Sequence, residues 1–86
     1  MLSEKFRRAV CSQVAIILRE ERERLGISMT SLAGRAGLSQ QMISYVEREM
    51  RNPTLDTLLR ITDVLGIELS EVVAQAERRA NSGSAK

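Results

Sequence analysis

The sequence predicts an all-α domain of five helices. Apolar residues recur every three or four positions in successive stretches of the chain, which is the spacing of an amphipathic helix. Serine, threonine and glycine stand between these stretches, at positions where helices begin and end. The 86 residues make one domain. A single core of this size is near the lower limit for a stable fold, so self-association is plausible.

Helix one is predicted from about Ser3 to Leu25. Ser3 can accept a hydrogen bond from the first turn as an N-cap, and Gly26 can end the helix in the left-handed conformation. The mixed acids and bases of REERER are typical of an exposed face. Apolar residues at helical spacing form the opposite face, which consists of Phe6, Val10, Val14, Ile17, Leu18 and Leu25.

Two short helices follow, and a turn with glycine separates them. Ser28 is the predicted N-cap of helix two, which covers about 29–36, and Ser39 caps helix three, which covers about 40–47. Gly37 stands where the turn requires a positive φ, and Leu38 and Ile43 plug the turn from below. Helix, short glycine turn and helix together have the spacing of a helix-turn-helix over residues 28–47.

Helices four and five complete the predicted domain. Thr54 is the predicted N-cap of helix four, and Pro53 just before it discourages an earlier helix start. Gly66 ends the helix. The predicted apolar face of helix four consists of Leu55, Leu58, Leu59, Ile61 and Leu65. Residues 77–86 are expected to form the end of helix five and a flexible tail, because NSGSAK has nothing to bury.

The composition excludes several classes of site. The chain has no histidine, and Cys11 is its single cysteine, which leaves neither a disulfide framework nor the ligands of a zinc site. The sequence has no glycine-rich phosphate loop and no nucleophile motif, so we expect no enzyme activity, no cofactor and no bound metal. Cys11 is open to a redox role, but an inert position on a helix is the favoured interpretation.

The sequence also favours a location away from membranes. No stretch approaches the run of about 20 apolar residues that spans a bilayer. The N-terminal MLSEKFRRAV lacks the apolar core of a signal peptide, and a lone cysteine suits a reducing compartment. We therefore expect a cytoplasmic protein. Because the net charge is only +2, any anion-binding surface must come from where the charges lie.

The stretch from about Val14 to Val73 resembles the XRE family of phage repressor and Cro proteins. The matching segments are LREERERLGIS, LAGRAGLSQQMISYVE, RNPTLDTLLRITDVLGI and ELSEVV, and their order and spacing carry the resemblance. It implies a five-helix, phage-repressor-like DNA-binding domain over residues 14–76. Residues 1–13 then extend helix one beyond what the motif requires. The cations of this extension are Lys5, Arg7 and Arg8.

The resemblance implies that helix three enters the major groove of DNA, where its N-terminal residues meet base edges. A glutamine amide can bind an adenine edge through two hydrogen bonds, so two glutamines in succession can read adjacent base pairs. The predicted base contacts are Gln40, Gln41, Ser44 and Tyr45. The alternative for the two glutamines is that they are merely exposed, helix-tolerant residues, and the alternative for Tyr45 is packing beneath the loop.

Phosphate contacts are expected from helix N-termini and from nearby cations. The predicted set is Ser28, Arg35, Ser39, Arg48, Arg51 and Asn52. The alternative for each arginine is an ordinary solvated side chain. The resemblance also implies a structural ion pair between Arg22, late in helix one, and Glu47, at the end of helix three.

Four positions depart from the family pattern. Met29 replaces a customary glutamine and cannot donate a hydrogen bond to phosphate. Ser31 replaces the usual capping-box glutamate. Glu49 and Met50 replace a frequent Gly-Lys, so Glu49 is expected to take a strained left-handed conformation and to put negative charge near the DNA backbone.

The predicted function is sequence-specific binding of double-stranded DNA by a transcriptional regulator of the repressor type. A homodimer would place two recognition helices on an inverted repeat, with half-sites one helical turn or about 34 Å apart. The candidate dimer surface is Val72, Val73 and Ala76, unless this face closes the monomer core. The alternative function is a protein-interaction module, such as an antitoxin or a partner-dependent regulator, with weak or lost DNA binding. No small-molecule ligand and no membrane partner are implied.

Overall fold

The structure, a computed structural model, describes residues 2–83 and consists of five α-helices joined by short connections. They are α1 (Glu4–Arg24), α2 (Met29–Ala36), α3 (Gln40–Glu47), α4 (Leu55–Leu65) and α5 (Leu69–Gly83). Every regular element in this range is a helix, which confirms the predicted fold class. With 21 residues α1 is the longest of the five.

Side-chain oxygens cap four helix starts at the positions that the sequence predicts. The Oγ atoms of Ser3, Ser28 and Ser39 each accept a hydrogen bond from the backbone N–H three residues later, at 3.0 Å. At the start of α4 the Oγ1 atom of Thr54 accepts from the N–H of Thr57 at 3.1 Å. Because each such cap stabilises a helix by about 1 kcal/mol, short helices such as α2 and α3 have fixed starts.

The helix ends share one backbone arrangement. The residues Gly26, Gly37 and Gly66 end α1, α2 and α4 with φ values of 71°, 70° and 73°. After each one, the next N–H donates to the carbonyl five residues earlier, which is a Schellman motif. The end of α3 has the same bond, but there Glu49 takes the left-handed position with a φ of 60°. The conformation expected of Glu49 is therefore confirmed.

The core is aliphatic, and all five helices contribute to it. Its buried members are Ile17, Leu18, Leu32, Ala33, Ile43, Val46, Ile61, Leu65, Val72 and Ala76. Helices α1 and α5 pack along each other, and α2 packs against both α3 and α4. This packing buries the inner side of α3 and leaves its opposite side to solvent.

Three leucines predicted to face the core are exposed instead. Leu25 is exposed because it lies at the C-cap of α1, where the chain leaves the helix. Leu55 and Leu59, one turn apart on α4, are 65% and 50% exposed. Thr57 and Thr62 take buried positions on this helix, and the hydroxyl of Thr62 donates to a carbonyl one turn back at 3.0 Å. The apolar stripe of α4 is therefore wider than the face that the core covers.

The candidate dimer residues on helix five lie mainly inside the domain. Val72 and Ala76 are 2% and 0% exposed, so their predicted role as dimer contacts is corrected. They close the monomer core, because α5 packs along α1. Val73 is half-buried and lines a groove beside α1.

Helix five is also longer than the sequence predicts. It continues to Gly83, three residues into the stretch predicted as a flexible tail. Two contacts hold this end: Ala80 is buried, and Arg79 forms an ion pair with Glu20 on α1 at 2.9 Å. The last three residues of the predicted tail, 84–86, lie outside the described residues.

The described residues contain neither a helix that could cross a membrane nor a group of side chains that could hold a metal ion. None of the helices within residues 2–83 has the length and the apolar content that crossing a bilayer requires. No group of three or more histidine, cysteine, aspartate or glutamate side chains in this range is placed to hold a metal ion. Cys11 is exposed on α1.

Candidate nucleic-acid interface

The turn between α2 and α3 is supported from α4. The Nη1 atom of Arg60 donates to the carbonyl of Ala36, the last residue of α2, at 3.4 Å. A Cβ added to Gly37 would lie 3.1 Å from the same Nη1 atom. Ile43 is 1% exposed beneath the turn, as the sequence predicts. The helix-turn-helix over residues 28–47 therefore has a packed inner side and a defined turn.

A largely buried ion pair joins α1 to the end of α3. The Nε and Nη2 atoms of Arg22 lie 2.7 and 3.0 Å from the two carboxylate oxygens of Glu47, and its Nη1 donates to the carbonyl of Ile27 at 2.9 Å. The side chains are 11% and 4% exposed. The hydrogen bond to Glu47 raises the pKa of Arg22 above its ordinary value, so the guanidinium keeps its charge. The predicted structural ion pair is present.

The outer side of α3 carries the predicted base-contact residues. Gln40 and Gln41 are exposed in its first turn, while Ser44 and Tyr45 lie one turn later and are half-buried. The Nε2 atom of Gln41 donates a hydrogen bond to the hydroxyl of Tyr45. A neighbour therefore orients Gln41, whereas the exposed amide of Gln40 at the helix start has room to turn toward a ligand.

The chain after α3 folds back over Tyr45. With Glu49 in the left-handed conformation, the N–H of Met50 donates to the carbonyl of Tyr45 at 2.9 Å. The guanidinium carbon of Arg51 then lies 4.9 Å from the centre of the Tyr45 ring, within the range of a cation–π contact. The four-residue spacing of Gln41 and Tyr45 is a sequence signal for their contact, but no local pattern predicts the contact with Arg51.

The arginines differ in whether they have a carboxylate partner within residues 2–83. Those in ion pairs with carboxylates are Arg8, Arg19, Arg22, Arg24, Arg60, Arg78 and Arg79. Arg35, Arg48 and Arg51, the cations of the helix-turn-helix and of the loop after it, form no ion pair within residues 2–83 and are exposed. Glu49 is the opposing charge in that loop. Three arginines without an ion pair and one opposing carboxylate thus lie in this part of the chain, and Arg7 on α1 is the other arginine without an ion pair in residues 2–83.

The other predicted phosphate contacts surround α3. Ser28 and Ser39 are exposed N-caps at the starts of α2 and α3, where the first backbone N–H groups have no partner inside the helix. Arg35 is exposed in the last turn of α2. Asn52 is exposed in the loop after α3. The structure brings Arg51 into contact with Tyr45 of α3, and within residues 2–83 it shows no hydrogen bond or ion pair between α3 side chains and the side chains of these four residues.

A groove of about 780 Å³ brings the extension of α1 toward the loop after α3. Arg7 and Arg8 line it from α1, and Arg51 and Asn52 line it from the loop. Arg8 is bound to Glu4 at 2.8 Å, whereas Arg7 has no ion pair in the part of the chain that the structure describes. The extension therefore adds one unpaired cation on this side of the domain.

Comparison with known proteins shows the family of this chain. A family model described as helix-turn-helix matches residues 18–72. The chain belongs to the XRE-type helix-turn-helix family. An HTH-type transcriptional regulator of Sinorhizobium fredii, y4dJ, is 35% identical to it over 72 residues, which are 84% of this chain and 88% of that protein. The immunity repressor of Bacillus phage phi105 is 34% identical over 58 residues, which are 67% of this chain and 38% of the repressor.

A solved structure shares the fold. A point mutant of the restriction-modification controller protein C.Esp1396I matches with a TM-score of 0.76 over 85% of this chain and 95% of that chain, at 23% identity. The chain spans less than two thirds of the length of several other curated relatives that it matches. Family and relatives confirm the resemblance found in the sequence: this is a DNA-binding transcriptional regulator.

Proposed function

We propose that this regulator reads operator DNA in the major groove, with α3 as the recognition helix. The charge distribution carries the proposal. The three arginines of the helix-turn-helix and its loop lack ion pairs within residues 2–83, whereas seven of the eight arginines on α1, α4 and α5 have them, Arg7 being the exception. Unpaired cations in the segments that precede and follow an exposed helix suit a phosphate backbone.

The glutamines are the proposed readers of sequence. Gln40 and Gln41 are exposed in the first turn of α3, the part of a recognition helix that approaches base edges. Each amide has a donor and an acceptor side by side, which match N7 and the amino group of adenine. Ser44, one turn later, is the proposed contact to the adjoining step.

The phosphate contacts are proposed to fix the register of α3 on the duplex. The proposed residues are Ser28, Arg35, Ser39, Arg48, Arg51 and Asn52. Two of them offer backbone N–H groups at helix N-termini, and three offer guanidinium groups without a carboxylate partner in the described residues. Contacts of this kind position a protein and supply affinity, but they carry no sequence information.

A homodimer is the proposed DNA-binding form, and α4 offers its surface. Leu55 and Leu59 leave a stripe of apolar area in water, which a second copy would cover. A two-fold axis through this stripe makes the same leucines meet their copies, as in most dimers. Asp56 and Arg60 neutralise each other beside the stripe at 2.9 Å, so two copies approach without net repulsion. Such a dimer suits an inverted repeat.

Selection from random duplex DNA tests the proposal. At near-physiological salt, the purified chain should enrich an inverted repeat with half-sites about 34 Å apart, one helical turn. Gln40→Ala and Gln41→Ala should each relax particular base pairs of that motif, and Gln75→Ala on α5 should leave it unchanged. A motif insensitive to both α3 substitutions, or no enriched motif, would contradict base reading by α3.

One observation favours a second candidate function, a protein-interaction module of the same fold. The carboxylate of Glu49 has no ion pair within residues 2–83 and lies in the loop that carries the proposed phosphate contacts. A negative charge there opposes DNA binding. The salt dependence of DNA affinity separates the two candidates: a steep slope excludes the second, and weak binding with a shallow slope supports it.

A further inference from the structure

We infer that Tyr45 is a positioning residue, which orients Gln41 for base reading with its hydroxyl and Arg51 for phosphate contact with its ring. The inference rests on the proposed function of α3. It replaces direct base reading by Tyr45, because both polar features of this side chain, the hydroxyl and the ring face, already have partners.

The hydroxyl of Tyr45 restricts the amide of Gln41. A free glutamine side chain has many rotamers, and a hydrogen bond to a residue one turn later on the same helix removes most of them. The amide keeps its second N–H and its carbonyl oxygen. These are the groups that a two-bond contact with adenine requires. Tyr45 therefore orients Gln41 without using the atoms that read the base.

The ring of Tyr45 restricts Arg51 in a similar way. The guanidinium carbon lies 4.9 Å from the ring centre, and this is the only contact of the Arg51 side chain among the ion pairs, hydrogen bonds and ring contacts found in residues 2–83. The backbone brings it there, because Glu49 turns the chain and Met50 bonds to the carbonyl of Tyr45. A guanidinium placed over a ring keeps the donors at its edge for phosphate.

One side chain thus links a base-reading residue to a backbone-contacting residue. The chain supplies a matched residue for each arm of this link. Gln40 is the same residue type in the same turn of α3, without the bond to Tyr45, and Arg48 is an exposed arginine of the same loop, without the ring contact. Effects that pass through Tyr45 should reach Gln41 and Arg51 and spare these two.

The test compares Tyr45→Phe, which keeps the ring, with Tyr45→Leu, which removes both ring and hydroxyl. Base preference along the selected motif and the slope of log affinity against log salt are measured for each. Tyr45→Phe should lose discrimination by roughly tenfold at the base pair that Gln41→Ala also relaxes, with an unchanged slope. Tyr45→Leu should lose the same discrimination and also about 0.9 of the slope, the contribution of one phosphate contact.

Two controls isolate the positioning role. Combining Tyr45→Phe with Gln41→Ala should relax the shared base pair no further than Gln41→Ala alone, since the hydroxyl acts through the glutamine. The base pair that Gln40→Ala relaxes should keep its preference in Tyr45→Phe. Relaxation at a base pair that Gln41→Ala does not affect would show that Tyr45 itself reads bases, and unchanged discrimination in Tyr45→Phe would show that the hydroxyl has no role. Either result would overturn the inference.

A measurement without DNA tests the positioning role of Tyr45 separately from the proposed function. Tyr45 is the only tyrosine, and the chain has no tryptophan, so tyrosine emission reports on this residue alone. Gln41→Ala and Arg51→Ala should each change the emission, whereas Gln40→Ala and Arg48→Ala should not. Emission insensitive to the first two substitutions would overturn the inference. If the wild-type chain enriches no DNA motif, the proposed function fails and the positioning role falls with it.

Discussion

The guanidinium of Arg22 and the carboxylate of Glu47 meet through two hydrogen bonds of 2.7 and 3.0 Å, and both side chains are nearly shielded from water. The pair ties α1 to the last residue of α3, and the bond from Arg22 to the carbonyl of Ile27 adds the segment before α2. Three parts of the chain therefore share one guanidinium, and the placement of α3 depends on it.

Replacing Glu47 by alanine should lower the free energy of unfolding by about 3 kcal/mol, because it leaves the charge of Arg22 largely buried without its partner. Urea denaturation followed by circular dichroism measures this change. The matched control is Glu23→Ala, which breaks an exposed pair with Arg19 and should cost less than about 1 kcal/mol. A midpoint unchanged by Glu47→Ala would remove the structural role of the pair.

Replacing Glu49 by glycine should raise the free energy of unfolding by about 1 kcal/mol, because it relieves the left-handed strain at a φ of 60°. Glu49→Ala removes the same carboxylate but keeps a Cβ in that conformation, so its stability should stay near that of the wild type. Both variants should bind DNA more tightly, since both remove a negative charge from the loop. Equal stability of the two variants would show that the conformation of Glu49 stores no strain.

The starts of α1 to α4 and the glycine ends of α1, α2 and α4 were predictable because their signals are local. Ser3, Ser28, Ser39 and Thr54 each sit next to the helix they cap, and the capping bond spans three residues. The exposure of Leu55 and Leu59 was not predictable in this way. An apolar stripe shows that a helix has a face to bury, but the width of the covering surface depends on α1, α2 and α5, which lie elsewhere in the sequence.

The candidate site was also predictable only in part. The placement of Gln40 and Gln41 at the exposed start of α3 follows from the motif. The contact between Tyr45 and Arg51 does not, because it requires the chain reversal at Glu49, and the order of residues alone does not say which ring a loop arginine will meet. The contact of Arg79 with Glu20, which prolongs helix five, joins residues 59 positions apart and left no local signal.

The exposed leucines of α4 predict an effect on assembly. Leu55→Glu and Leu59→Glu should each shift the solution mass from dimer toward monomer, because a two-fold interface would place each new carboxylate near its own copy. Sedimentation equilibrium over a range of concentrations measures this shift. Leu25→Glu, which also puts a charge on an exposed leucine, should leave the mass unchanged. A dimer that survives both α4 substitutions would place the interface on another surface.

The extension of α1 predicts a difference between two adjacent arginines. Arg7 and Arg8 line the same groove as Arg51 and Asn52, but Glu4 holds Arg8 at 2.8 Å, while Arg7 has no ion pair in residues 2–83. Arg7→Ala should therefore reduce the slope of log affinity against log salt by about 0.9, as the loss of one phosphate contact does. Arg8→Ala should change it less.

Titrations of the selected DNA at several salt concentrations measure these slopes, and both variants keep the core intact because the two side chains are exposed. Equal slopes in the wild type and both variants would leave the extension of α1 outside the DNA interface. An equal loss in both variants would show that the ion pair with Glu4 does not hold Arg8 away from phosphate, since a surface pair of this kind contributes less than about 1 kcal/mol and DNA can displace it. A larger loss of slope in Arg7→Ala than in Arg8→Ala is the result that supports the prediction. It would show that pairing with a carboxylate decides which of the two arginines contacts the DNA backbone.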